Sequence, residues 1–384
     1  MKPVNDNLPK PKLQQWLTTF LNRRFTQPFY IGLEIGFSRI NLVQMEYLAG
    51  KIHMRAIASI PFTCSREMLL SDPNALKALL KQAYAVQPFK GNKVVSCLPA
   101  EHVRILTITY NHVEGHSDDE AVVTELRERY KNELDHMVVD FMSLRQEDSN
   151  SGKRDALVAL APHDKVVAYL DLLSNAGLNV EALDIGPAAL TRTVCHTGAL
   201  LVPEYPSLPN VLLINFGAES SFLTIVWGRR LMLDRPIEFS ENRMFIRLKQ
   251  ALDMPEELMI NLLYEQGVHA DKAQNQSDEV NQMVTDILRP EINQLLQEIN
   301  KTLVYMASKT RGKSVDQIYL TGRVSRYAGI LNLLKAQLNV KVELLDPVEV
   351  FAADNTKLKS QNLGTMAGIA LTTGLALRGV PERG

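Results

Sequence analysis

The chain has 384 residues, with 42 Lys and Arg against 43 Asp and Glu, and its formal net charge of −1 excludes a global electrostatic attraction to nucleic acid. At 46 % hydrophobic and 22 % charged residues it has a globular composition with room for two domains of ordinary size. Cys64, Cys97 and Cys195 stand apart, suggest neither a disulfide framework nor a zinc cluster, and fit a reducing cytosol.

Residues 1–28 form a segment of their own. From Lys10 to Phe25 the chain carries Lys10, Lys12, Arg23 and Arg24 and no acid, and Leu13, Trp16, Leu17, Phe20 and Leu21 fall at helical spacing. A basic helix with one apolar stripe lies in a membrane interface, or it packs on its own domain or on a partner. Met1 to Pro11 is polar and proline-rich, unlike a secretion signal. No apolar run reaches the roughly 18–20 residues of a membrane span. A cytoplasmic protein is expected.

Residues 29–198 read as a first domain. Ile31-Gly-Leu-Glu-Ile-Gly36 is an apolar strand with Glu34 two residues before Gly36. Phe37-Ser38-Arg39 then turns it into Ile40 to Met45, which predicts a hairpin. Residues 51–60 extend the sheet. Asp72-Pro73 opens a helix with Leu76, Leu79, Leu80 and Ala83 on one face. Strands follow at Val94 to Leu98 and Val103 to Tyr110. Ser117-Asp-Asp-Glu120 predicts a capping box ahead of a helix striped by Val122, Val123, Leu126, Tyr130 and Leu134. His116 beside Asp118 and Asp119 could hold a metal, but capping explains the acids better. Strands at 137–144 and 156–161, a helix at 165–175 and a strand at 180–185 complete a β-α-β-β-α-β pattern. Residues of about 100–183 therefore read as an inserted subdomain, and Pro187 to Gly198 as a helix leading to the second half.

Residues 199–384 read as a second domain. About 180 residues after the first hairpin, Leu212-Leu-Ile-Asn-Phe-Gly217 repeats its pattern with Asn215 in place of the acid. Ala218-Glu219-Ser220-Ser221 turns it into Phe222 to Trp227. Helices are predicted over Asn242 to Leu252 and Glu256 to Gln266. A long one carries Val284, Leu288, Ile292, Leu295, Ile299, Leu303 and Met306, with Pro290 inside it. Strand Ile318-Tyr-Leu320 ends in Thr321-Gly322, and a helix from Arg326 to Leu338 and strand Val340 to Leu344 follow. A buried helix at about 361–378 is expected to pack back on the first domain.

Catalytic signatures are missing. There is no metalloprotease zinc motif, paired Cys-x-x-Cys, nucleophile elbow or dinucleotide fingerprint. Arg311-Gly-Lys-Ser314 looks like the end of a P-loop, but Ala307 stands where its first glycine belongs and a helix precedes it. His102, His136 and His196 lack a second ligand at metal spacing.

The duplicated hairpin is the clearest clue. Two hairpins turning on Gly36 and Gly217 resemble the phosphate grips of the actin, Hsp70 and sugar-kinase superfamily. Over residues 29–380, five features in this order resemble the PilM family of bacterial pilus-assembly proteins, which is itself like the cell-division protein FtsA. They are the hairpins, the insert, Leu183-Asp184-Ile-Gly-Pro187, the unit ending at Gly322, and Gly374-Leu-Ala-Leu-Arg378. The resemblance implies an α/β, actin-like fold, a duplicated ribonuclease H-like architecture with an inserted α+β subdomain. It implies a nucleotide cleft built from Glu34, Gly36, Ser38, Asn215, Gly217, Ser221 and Gly322. It also implies a scaffold, peripheral to the inner membrane. Such a scaffold would hold the short cytoplasmic N-terminus of a single-span, PilN-like pilus-machine protein beside the insert.

The departures bear on the cofactor. Asn215 replaces the second hairpin's aspartate, Phe37 and Arg39 alter the first turn, and Ser240-Glu241 and Arg323 stand where glycines would admit a nucleoside. ATP and magnesium are accordingly expected to bind weakly or not at all, and the protein is expected not to be an enzyme. The alternatives are a functional ATP-binding protein or a sugar- or acetate-kinase-like phosphotransferase, with Asp184 its only candidate carboxylate, and an FtsA-like filament former. Asp184 has a simpler role in capping the helix after Pro187.

Overall fold

Alternating apolar residues and hairpin glycines organise the chain into three sheets. A computed structural model describes residues 28–378 and 380, apart from 49–50, 113–114, 116, 145–151, 202–208, 269–275, 311 and 352–367. The amphipathic segment expected over 10–25 lies outside them.

The first half runs through β1 (Pro28–Ile35), β2 (Arg39–Leu48), β3 (Lys51–Pro61), α1 (Arg66–Ser71), α2 (Pro73–Val86) and β4 (Lys93–Cys97). It continues through β5 (Arg104–Asn111), α3 (Asp118–Tyr130), β6 (Met137–Leu144), β7 (Lys153–Pro162), α4 (His163–Asn175) and β8 (Asn179–Asp184). Helix α5 (Gly186–Leu201) leads to β9 (Val211–Phe216), β10 (Ser221–Trp227), β11 (Arg230–Ile237), α6 (Glu241–Leu252) and α7 (Glu256–Glu265). The chain then passes through α8 (Gln276–Lys309), β12 (Gln317–Gly322), α9 (Ile330–Gln337), β13 (Lys341–Leu344), α10 (Pro347–Phe351) and α11 (Ile369–Ala376).

Two five-stranded sheets share one plan, β3-β2-β1-β4-β8 and β11-β10-β9-β12-β13. In each, the first three strands are antiparallel and the last two join in parallel. The side-chain period of two then divides each central strand between two faces. Ile31, Leu33 and Ile35 of β1 pack on α2 and α4, while Leu212, Ile214 and Phe216 of β9 pack on α6 to α9. The opposite faces carry Gly32 and Glu34 in β1 and Leu213 and Asn215 in β9. Both meet a shared layer of α5 and α11. That layer is tight: a Cβ on Gly374 would sit 1.8 Å from the Ala189 carbonyl oxygen. Helix α11 covers only residues 369–376 of the helix expected at about 361–378, and residues 361–367 fall outside the described positions.

The third sheet, β5-β7-β6, is antiparallel and carries α3 on one face through Ile108, Tyr110, Val122, Leu126 and Val158. It corrects the expected insert of about 100–183. The separate sheet lies within 104–162, because β8 pairs with β4 in the first sheet and α4 packs into that sheet's core. On its other face Leu144 and Leu157 meet Leu231 of β11, so the insert touches both halves. Strand β11 is an element that the sequence reading lacks. Its signal was present, a Gly228 turn followed by Leu231-Met-Leu.

Candidate functional site

The two hairpins aim their glycines at a common space. A cavity of about 680 Å³ is lined by Glu34 to Phe37, Cys97 to Ile105, Ile185 to Pro187 and Gly217 to Ser220. Arg66, Met137, Leu160, Lys165, Leu190, Asn215, Phe222, Asp234 and Pro236 complete most of its wall. First sheet, insert, linker helix and second sheet all contribute.

Glu34 is closed into a hydrogen-bond chain. Its Oε2 accepts from Asn41 Nδ2 at 3.1 Å and from Thr372 Oγ1 at 2.9 Å. Asn41 Oδ1 accepts from Ser59 Oγ at 2.7 Å, and Ser59 Oγ accepts from Arg39 Nε at 2.8 Å. Burial raises the Glu34 pKa above the usual carboxylate value, with the Asn41 and Thr372 bonds opposing it. This carboxyl serves packing and neighbouring donors. In the second hairpin Asn215 offers an amide, and the Gly217 N–H donates to Ser221 Oγ at 3.3 Å.

The positions that the resemblance sets beside a nucleoside have found each other. Ser240 caps α6 by accepting from the Arg243 N–H at 3.3 Å, and Glu241 opens that helix. Glu241 is 2 % exposed. Arg323 donates to it twice, Nε to Oε1 at 2.6 Å and Nη2 to Oε2, and the Tyr327 hydroxyl also donates to Oε1. Tyr264 stacks edge-on against Tyr327 at 5.0 Å. Arg39, whose guanidinium donates to Ser59 Oγ and to the Ser59 carbonyl, has its pKa lowered by burial and then by the Arg323 charge. As a holder of magnesium and a nucleoside the arrangement fits poorly. One carboxylate is engaged by neutral donors, its counterpart is an amide, and a bonded Glu-Arg-Tyr cluster stands where the resemblance would have glycines.

Of the residues singled out by sequence, Glu34, Gly36, Asn215 and Gly217 line the cavity. Ser38 is exposed at the turn, away from the lining. Ser221 is fully buried behind Gly217. Gly322, at φ +90°, ends β12, and a Cβ there would lie 2.1 Å from the Phe216 carbonyl oxygen. The capping role expected of Asp184 is replaced by an ionic one. Its Oδ2 meets Arg192 Nη2 at 2.9 Å and Arg378 Nη1 at 3.0 Å, and among the described residues its Oδ1 accepts from the adjacent Ile185 N–H alone, at 2.9 Å. Ser117 caps α3 by accepting from the Asp119 N–H at 3.1 Å, and Asp118 pairs with His112 Nδ1 at 2.7 Å.

Sequence reasoning missed two groups in the wall. Arg66 pairs with Glu101 at 2.6 Å and donates to the Ile35 carbonyl at 3.1 Å, joining α1 to the first hairpin. Asp234, in the middle of β11, accepts from Thr224 Oγ1 at 2.5 Å, and burial pushes its carboxyl up to about 6. A lone acid inside an apolar strand was its only signal. Among the described residues no helix is long and apolar enough to cross a membrane.

Comparison with known proteins places these features in a family. A family model described as type IV pilus assembly protein PilM matches residues 32–380. The solved PilM-PilN type IV pilus biogenesis complex is similar at 24 % identity and a TM-score of 0.69, over 92 % of this chain and 99 % of that one. Ethanolamine utilization protein EutJ from Carboxydothermus hydrogenoformans is similar at 10 % identity and a TM-score of 0.52, over 96 % of this chain and 98 % of that one. The fold is the α/β actin-like fold.

Proposed function

The chain belongs to the type IV pilus assembly protein PilM family, and we propose that it is a scaffold that grips a partner's short cytoplasmic tail in the cavity between its first hairpin and its insert. The partner is a single-span, PilN-like inner-membrane protein of a type IV pilus or related filament machine. The protein works at the cytoplasmic face of that membrane and is not a catalyst. The observation that carries the reading is the cavity itself. Ile35, Phe37, Leu98, Val103, Ile105 and Leu160 give it an apolar stretch of wall bordered by charged groups such as Arg66, Lys165 and Asp234, at a volume suited to several side chains of a short extended segment. Part of its rim comes from the insert, through Arg104, Ile105, Met137 and Leu160, and the two hairpins complete it, so the tail would occupy the cleft that the resemblance assigns to a nucleotide.

ATP binding is weak or lost in this reading. The Glu241–Arg323 pair and the bonded Glu34 support that, since each charge-assisted contact forgone costs about 1.5–3 kcal/mol. The tail of the PilN-like protein, as a synthetic peptide titrated into the full chain, should bind with a dissociation constant in the micromolar range. No saturable heat up to about 1 mM, equivalent to less than about 4 kcal/mol, overturns the scaffold reading. An ATP and magnesium dissociation constant of about 10 μM or tighter would show a working nucleotide site instead.

A further inference from the structure

We infer that Asp234 is the counter-charge for a basic group, a lysine or arginine side chain or a terminal ammonium, that the bound tail carries into the cavity. The inference rests on the scaffold reading and adds the chemistry by which the tail is chosen. Asp234 is 8 % exposed and lines the cavity beside Ile105, Leu190, Phe222 and Pro236. Among the described residues its one hydrogen-bond partner is Thr224, which donates to Oδ1. Glu34 has two neutral donors, Asn41 and Thr372, and the other carboxylates less than a tenth exposed are answered by cations. Glu241 has Arg323, Glu291 has Arg243 and Arg247, and Asp184 has Arg192 and Arg378. Buried charges are kept where something pairs with them, and among the described residues Asp234 is met by a hydroxyl alone.

The cations in the cavity wall are placed elsewhere. Arg66 is held by Glu101 and the Ile35 carbonyl, and Arg104 lies 5.7 Å from the centre of the Tyr130 ring. Lys165 and His102 line the cavity without an ion pair to Asp234, and Glu219 adds a second acid. A basic group entering against the apolar wall would exchange water for a carboxylate in a poorly solvated site, where a pair discriminates most sharply. The cytoplasmic flanks of membrane spans are enriched in Lys and Arg, so the proposed partner carries the matching charge. Because burial favours the neutral Asp234 carboxyl in the free protein, pairing returns it to the anion and releases a proton.

The test is a two-by-two titration of full-length wild type and D234N with two synthetic peptides. One is the cytoplasmic N-terminus of the PilN-like protein, and the other is the same peptide acetylated with every Lys and Arg replaced by Met. The native peptide should bind D234N roughly 30-fold or more weakly than wild type, while the neutral peptide binds both proteins alike. Near pH 6, titration in buffers of different ionisation enthalpy should show proton release with wild type that D234N lacks, although His102 is present in both. If wild type binds native and neutral peptides equally well, Asp234 has no such role and the scaffold reading stands. That arm needs no protein variant, so a misfolded D234N leaves it decisive. If wild type binds neither peptide, the scaffold reading falls and takes this inference with it.

Discussion

Strands β1 and β9 occupy the same place in two sheets of one plan, yet they meet the α5 and α11 layer differently. The first sheet presents Gly32 and Glu34 to α11, which lies so close that a Cβ on Gly32 would stand 2.2 Å from the Thr372 carbonyl oxygen. The second presents Leu213 to α5 and puts its buried acid two strands away, on Asp234 of β11. Both line the cavity, but Glu34 accepts from two donors and ties strands to helix, whereas Asp234 accepts from one, Thr224, on its own sheet. A duplicated frame can thus keep its backbone while one copy turns its polar residues to cohesion and the other leaves a charge available.

The largest effect should come from making the first sheet imitate the second. Gly32→Leu, the residue found at position 213, has no room against the α11 backbone. It should cost roughly 4–5 kcal/mol in urea unfolding. A loss under about 1 kcal/mol would show that the layer yields and that the tightness is not structural. Next comes the cluster of Glu241, Arg323 and Tyr327. Glu241→Ala strands the Arg323 guanidinium without its partner and should cost about 3–4 kcal/mol, again by urea unfolding. A variant as stable as wild type would mean that the pair is held by its surroundings and contributes nothing.

Asp234 offers a sharper contrast through pH. Its carboxyl rises from 3.8 unfolded to about 6 folded, with burial the main cause and the Thr224 bond opposing. Between those values the folded protein binds more protons than the unfolded one. Stability from this group is therefore full below about pH 4, falls as pH climbs through 6, and is level above, a loss of about 3 kcal/mol. Asp234→Asn should lack that decline and be at least as stable as wild type at pH 7.5. Parallel stability-against-pH curves for the two proteins would refute it. The smallest effect belongs to Glu34→Gln. The amide oxygen still accepts from Asn41 and Thr372, so the loss should be about 1 kcal/mol. A loss of several kcal/mol would make Glu34 the more demanding carboxyl of the two.

Much of the frame was legible because its signals are local. A strand, an acid or amide, a glycine and a second strand identify each hairpin, and the helical stripes of α2, α3 and α8 repeat every three or four residues. What remained hidden depends on distant partners. Nothing between Asn179 and Asp184 says that β8 pairs with β4 and leaves the insert. Glu241 and Arg323, 82 positions apart, each read as a misplaced side chain, and only the fold shows that each answers the other. Asp184 looked like a cap because Gly186-Pro187 follows it, while its arginines come from α5 and from beyond α11. Asp234 carries no motif at all, since its meaning lies in having no ion pair among the described residues, which only the fold reveals.

The contact of Leu144 and Leu157 with Leu231 gives the molecule a mechanical character. The insert is rooted in the first half and rests on the outer strand of the second, so it braces the two halves like a prop across a jaw. A propped jaw does not swing freely. To open, it must lift three leucines out of contact, at about 25 cal/mol for every square ångström of apolar surface returned to water. A tail wedged beside the prop would therefore set the angle between the two halves, and anything resting on their outer faces would register the tail's arrival as a tilt.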